Sequence, residues 1–127
     1  MSWELKGDRP VYAQLVEMIG QKIIKQEYPP DSKLPSVREL ASLAEVNPNT
    51  MQKALIELER AGLITSVRTT GKYVTDDKSL IEAYKRELAL KELAGFMEKM
   101  NKLGYDRLQI KELFDKEVSD DKSTGNK

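Results

Sequence analysis

Apolar residues return at three- and four-residue steps over most of the chain, and strand-like runs are confined to one short region. Tyr12, Leu15, Val16, Ile19 and Ile23 line up as one stripe, which predicts a first helix from about Pro10 to about Glu27. Tyr28-Pro29-Pro30-Asp31 stops it, because proline cannot continue the hydrogen-bond ladder. Lys33-Leu34-Pro35 then reads as a short extended piece. Ser36 and Glu39 have the spacing of a capping box, so a second helix starts at Ser36. It buries Val37, Leu40, Ala41 and Ala44 and ends near Glu45. Asn47 is an N-cap residue type and Pro48 suits the first helical position. A third helix therefore begins there, continues to about Ala61 and stops at Gly62.

Two helices joined by so tight a turn make a helix-turn-helix. Leu63-Ile64-Thr65-Ser66-Val67 and Lys72-Tyr73-Val74-Thr75 flank an Arg68-Thr69-Thr70-Gly71 tip, the signature of a hairpin. Beyond Asp76 the helical period returns, with Ile81, Tyr84, Leu88, Leu93, Met97 and Met100 in one long stripe closed by Gly104. Asp106 and Gln109 repeat the capping logic and open a last helix carrying Leu108, Ile110, Leu113 and Phe114. The expected fold is mainly α with a small β-hairpin: a winged helix-turn-helix over residues 1–76, a two-helix segment over 77–118, and a disordered polar tail over 119–127. There is no internal repeat.

Composition changes this picture by exclusion. The 127 residues hold 21 basic and 21 acidic side chains, with no cysteine and no histidine. Disulfides and thiolate metal sites are ruled out, as are the commonest metal ligand and the usual general base near neutral pH. No cofactor is expected and an enzyme is disfavoured. The opening MSWELKGDRP lacks the apolar run of a signal peptide, and no later stretch is long enough to span a bilayer. A cytoplasmic protein without a membrane partner is the expectation.

The third helix is where chemistry enters. Stepping 100° per residue collects Met51, Ala54, Leu55, Leu58 and Ala61 on one side, and Asn49, Lys53, Ile56 and Arg60 on the other, with Gln52 at its edge. Asn and Gln can pair with adenine in the major groove, and Lys reaches guanine acceptors or phosphate. The acid-free helix start, with unpaired N–H groups, is expected to accept a phosphate. An ordinary solvated face explains that helix alone equally well. Other features favour a duplex: Arg38 on the outer side of the second helix, Lys33 before it, and Arg68 and Lys72 on a wing without an acid from Ser66 to Thr75. Against it, residues 1–76 contain 10 basic and 10 acidic residues, so the cations must be sorted in space.

The stretches LPSVREL, VNPNTMQKALIELERAGLI and TTGKYV, in this order over about residues 9–76, resemble the GntR family of bacterial transcription regulators. Asn-Pro-Asn-Thr in the turn and the short C-terminal part look like its YtrA-type branch. That resemblance implies a homodimer on a partly palindromic operator, usually a repressor, with branch members often controlling neighbouring transporter operons. It places the family's phosphate- or guanine-contacting arginine on Arg38. Its polar recognition residues fall on Asn47, Asn49 and Thr50, and its wing glycine on Gly71. Many relatives carry arginines where this chain has Pro48 and Gln52, which shifts the expected reading toward A·T pairs. Their wing commonly runs Gly-x-Gly-Thr-Phe, against Thr69-Thr70-Gly71-Lys72-Tyr73 here.

The DNA-binding candidates are thus Lys33, Ser36, Arg38, Asn47, Asn49, Thr50, Gln52, Lys53, Arg68, Thr70, Gly71 and Lys72. Asn49, Gln52 and Lys53 are assigned to bases, and Lys33, Arg38, Arg68 and Lys72 to the backbone. Two C-terminal helices cannot enclose a ligand pocket of ordinary size and still bury their stripes, but they can bury them against a second copy. Ile81, Tyr84, Leu88, Met97, Met100 and Phe114 are the candidate dimer seam, with folding back onto the first domain as the alternative. Nothing in the sequence points to an effector, and Met97 and Met100 leave room for a small apolar one between subunits. A winged-helix adaptor that meets a protein instead of DNA is the competing function.

Overall fold

The structure, a computed structural model, describes residues 3–124. Its elements run α1 (Val11–Ile24), α2 (Val37–Ala44), α3 (Pro48–Arg60), β1 (Ile64–Val67), β2 (Gly71–Val74), α4 (Lys78–Lys102) and α5 (Arg107–Thr124). The predicted elements all form, in the predicted order. None of the helices in the described residues is long and apolar enough to cross a membrane.

Local chemistry sets the helix starts. Ser36 Oγ accepts from the Glu39 N–H at 3.1 Å while Glu39 Oε1 accepts from the Ser36 N–H at 2.8 Å, so the capping box before α2 is complete. The Glu39 carboxyl lies below its ordinary range, chiefly because of the Ser36 backbone hydrogen bond and then its hydroxyl. Asn47 Oδ1 caps α3 through the Asn49 N–H at 2.7 Å. Asp106 and Gln109 cap each other in the same way before α5, at 2.8 and 2.9 Å. Glu45, in the left-handed region at φ 58°, ends α2 and turns the chain into α3. The first helix stops at Ile24, earlier than predicted, where Gln26 takes a positive φ.

Leu15, Ile19 and Ile23 of α1 meet Leu40, Ala41 and Ala44 of α2 and Met51, Ala54, Leu55 and Leu58 of α3 in one core. The four α3 residues are each 0% exposed. Ala61, read as inward-facing, is exposed, because the helix ends at Arg60 and Ala61 is already its C-cap. The hairpin closes the core with Leu63, Ile64 and Val74. Its strands are antiparallel, with Ser66 opposite Lys72 and Val67 opposite Gly71. The extended piece before α2 adds a third edge: Lys33 bridges to Tyr73, the Leu34 N–H donates to the Lys72 carbonyl, and the Val74 N–H donates to the Ser32 carbonyl, both at 2.9 Å.

The chain forms two compact units, residues 1–85 and 86–127, a boundary later than the one read from composition. The reason lies in the first two turns of α4. Ile81 is 8% exposed within the winged-helix core, and Leu80 and Tyr84 pack against it. A methyl group on Gly20 of α1 would meet the Tyr84 hydroxyl at 2.7 Å, so the tyrosine packs directly over this glycine and would have to shift to admit a side chain. Ile81 and Tyr84, expected in a dimer seam, are therefore core residues of the first unit. In the second unit Ile110 is buried, while Leu93, Phe96, Leu108 and Phe114 stand 44 to 64% exposed. α5 continues to Thr124, so residues 119–124 are helical where a disordered tail was expected, and 125–127 lie outside the described residues.

Truncating the centre of the core should be severe. Leu55→Ala is expected to cost about 2–5 kcal/mol, read as a lowered midpoint in chemical denaturation.

Candidate nucleic-acid interface

With α3 fixed by its buried side, Asn49, Gln52, Lys53, Ile56 and Arg60 are all exposed on the other. No acid stands in the first turn of α3. The start of that helix differs from expectation in one respect. Its N–H groups are already taken: Asn49 donates to Asn47 Oδ1, and Thr50 and Met51 donate to the Asn47 carbonyl at 3.0 and 3.1 Å. Asn47 thus spends its side-chain oxygen inside the turn. The unpaired donors are at α2, where the Val37 and Arg38 N–H groups meet no acceptor among the described residues. Arg38 is exposed there and carries no ion pair among the described residues, while the Ser36 hydroxyl is taken up by Glu39, accepting from its N–H and supporting its carboxylate. A helix start with two bare N–H groups and a guanidinium is suited to a phosphate.

Lys53 leans back onto α1, its Nζ 4.1 Å from the centre of the Tyr12 ring. That cation–π contact holds the ammonium near the α1–α3 junction. Tyr12 escaped notice in the sequence because its place in the apolar stripe of α1 explained it completely.

The wing is tight. The Thr70 N–H donates to the Val67 carbonyl at 3.1 Å, and Thr69 sits at φ 66°, a conformation that β-branched residues rarely adopt. Gly71, at φ 132°, has a backbone that favours glycine, and a side chain there would meet Lys33 Cε at 3.0 Å. The predicted wing glycine therefore has two physical reasons to be glycine, and Lys33 lies across it. Arg68 is exposed at the tip and has no acidic partner among the described residues. Thr70 gives its hydroxyl proton to the Val67 carbonyl at 3.2 Å, which leaves only acceptor lone pairs facing outward.

Lys72 departs furthest from its expected role. Its Nζ lies 2.8 Å from Ser66 Oγ and 3.5 Å from Glu59 Oε1, and its side chain is only 19% exposed. The lysine assigned to the DNA backbone is instead held against the last turn of α3. At that same end Arg60 pairs with Glu57.

The sequence model described as bacterial regulatory proteins, gntR family, matches residues 11–74, the span of α1 to β2. The chain belongs to the gntR family. Its relatives in that family include the transcriptional repressor YtrA of Bacillus subtilis, 32% identical over 96% of this chain and 94% of its own. A GntR family transcriptional regulator from Listeria monocytogenes has a solved structure that superposes with a TM-score of 0.81 at 40% identity, covering 88% of this chain and 98% of that one. The AraR DNA-binding domain, solved in complex with operator ORX1, superposes with a TM-score of 0.54 at 32% identity over 59% of this chain and 99% of its own. The protein is accordingly a DNA-binding transcription regulator of winged helix-turn-helix fold, and not an enzyme.

At the C-terminal end of α3, against this gntR-family wing, the Glu59 carboxyl is held below its ordinary value of 4.5, first by the hydrogen bond from the Ser66 side chain, with Lys72 adding to it and burial opposing. A depressed carboxyl contributes stability that is complete above the unfolded value and is lost as pH falls through the folded one. Glu59→Gln should therefore melt slightly below the unsubstituted chain near neutral pH, with the gap starting to close below about pH 4.5 and vanishing only below the lowered folded value. The carboxylate is 36% exposed, so solvent screening keeps that difference small. Thermal melts across the acid range check it.

Proposed function

We propose that the protein is a repressor that binds a partly palindromic operator as a homodimer in the cytoplasm, with a neighbouring transporter operon among its targets. The observation that carries the reading is the complete burial of Met51, Ala54, Leu55 and Leu58, which commits Asn49 and Gln52 to the opposite, open face of α3. Those amides read bases in the major groove. Lys53 acts from the α1–α3 junction. Arg38 and the bare N–H groups of α2 take a phosphate, Ser36 holds that helix start in place through its capping box with Glu39, and Lys33, Arg68 and the Gly71 turn hold the flanking backbone. Thr50, half-buried beside them, and Asn47 shape the turn. Repression is supported by the name of YtrA, and a duplex partner by the AraR domain–operator complex.

The second copy is supported by the second unit. Leu93, Phe96, Met97, Leu108, Ile110 and Phe114 line an open groove between the C-terminal helices. Apolar surface of this continuity marks an interface more often than plain solvent contact. Leu88, Met97, Met100 and Phe114 remain in the proposed seam. Charge neutrality of the first unit is the one observation that favours a protein-binding adaptor instead.

An electrophoretic shift on the gene's own upstream region, titrated with salt, separates the two readings. Arg38→Ala should weaken selected and random duplexes alike and flatten the salt slope by about 0.9. Asn49→Ala should instead cost about 1–3 kcal/mol of discrimination at one base pair. An Arg38→Ala protein with undiminished affinity at every salt concentration would remove the surface from consideration.

The dimer has its own test. Phe114→Asp combined with Leu93→Asp should give a monomer in sedimentation equilibrium that still folds its first unit. A dimer that survives both charges excludes this seam.

A further inference from the structure

We propose that Glu59 is a positioning residue that limits sequence-independent DNA binding, by holding Lys72 off the phosphates and tying the wing to the recognition helix. The inference rests on the DNA-binding reading given above. From Ser66 to Thr75 the wing has no acid of its own, so a counter-charge for its lysine must come from another element. α3 supplies it. Ser66 and Lys72 are directly opposed across the hairpin, so their side chains share a face. Glu59 reaches both, lying 3.5 Å from the Lys72 ammonium and within hydrogen-bond reach of the Ser66 side chain, while Lys72 closes the triangle onto Ser66 at 2.8 Å. The resulting burial is selective: the Lys72 side chain is 19% exposed, whereas those of Lys102 and Lys111 are above 70%.

A free wing lysine would find a phosphate in any register along any duplex. Such contacts supply nearly all of non-specific affinity and steepen its salt dependence. Held by Glu59, the same side chain contributes no net charge and fixes the angle between the wing and α3, on which base reading depends. Losing the carboxylate thus adds a contact that is blind to sequence and loosens one that is not.

The test uses the full chain with two fluorescent duplexes, one selected from random pools by binding and one scrambled to the same length, titrated across salt. Glu59→Gln keeps a hydrogen-bonding partner for Ser66 but drops the charge. It should bind the scrambled duplex more tightly with a salt slope steeper by about 0.9, so that a fourfold rise in salt costs it an additional factor of about 3.5. The ratio of selected to scrambled affinity should fall. Lys72→Met alone should leave the slope unchanged, and in the Glu59→Gln background it should abolish the gain. An unchanged slope or an undiminished ratio in Glu59→Gln overturns the proposal, as does a flatter slope in Lys72→Met alone. Failure of the unsubstituted chain to bind either duplex overturns the DNA reading and this proposal together. If Glu59→Gln does not fold, the Lys72→Met slope decides by itself.

Discussion

What the outer face of α3 can do is decided on its inner face. Met51, Ala54, Leu55 and Leu58 recur at three- and four-residue spacing and all lose their solvent exposure completely between α1 and the hairpin. A helix turns 100° per residue, so a rotation that freed Asn49 or Gln52 from the surface would push one of those apolar groups into water. The amides are presented because the leucines have nowhere else to go. α2 is bound to the same core by Leu40, Ala41 and Ala44, and its capping box sets where its first N–H groups face. The open face of α3 and the bare start of α2 are thus positioned by one packing arrangement.

Electrostatics then resolves what looked like a contradiction. The first 76 residues carry equal numbers of acids and bases, an awkward balance for a DNA-binding domain. Four of those ten acids are committed to ion pairs within the chain. Glu17 holds Arg9, Glu27 holds the buried Lys22, Glu57 holds Arg60 and Glu59 holds Lys72. Arg38 and Arg68 have no acidic partner among the described residues, and Lys33 forms no ion pair but lies close enough to Glu39 to help lower its carboxyl; all three belong to the wing, its bridging edge or the start of α2. Net charge is a sum over the whole surface, whereas a duplex within a Debye length of about 8–10 Å responds to the face that it meets.

The sequence was legible wherever structure depends on near neighbours. Ser36 with Glu39, Asn47 before Pro48, and Asp106 with Gln109 are satisfied within three residues, and each cap forms as read. What escaped was settled at a distance. The stripe of Ile81 and Tyr84 has the same period whether it packs on its own chain or on a second copy, and what decides it lies far away in sequence, in the core that buries Ile81 and at Gly20, over which Tyr84 packs. Lys72 finds Glu59 across the hairpin, and Lys53 finds Tyr12 across two helices. The start of α3 failed for a different reason: Asn47 can either cap its own helix or face a ligand, and composition does not say which.

In the proposed dimer the second unit gives the modest first unit its use. Three cations outside any ion pair, one helix start and two amides make few contacts, and a salt slope of about 0.9 per phosphate means that few contacts bind weakly under physiological conditions. A pair of such domains joined through the apolar groove of α4 and α5 meets two half-sites in one event, and the second engagement is intramolecular. Affinity then multiplies without any added cation, while random sequence, which lacks the paired half-sites, gains much less. On this reading the exposed Leu93, Phe96, Leu108 and Phe114 serve the same end as the restrained Lys72: both move binding strength away from the uniform phosphate backbone and toward the sequence.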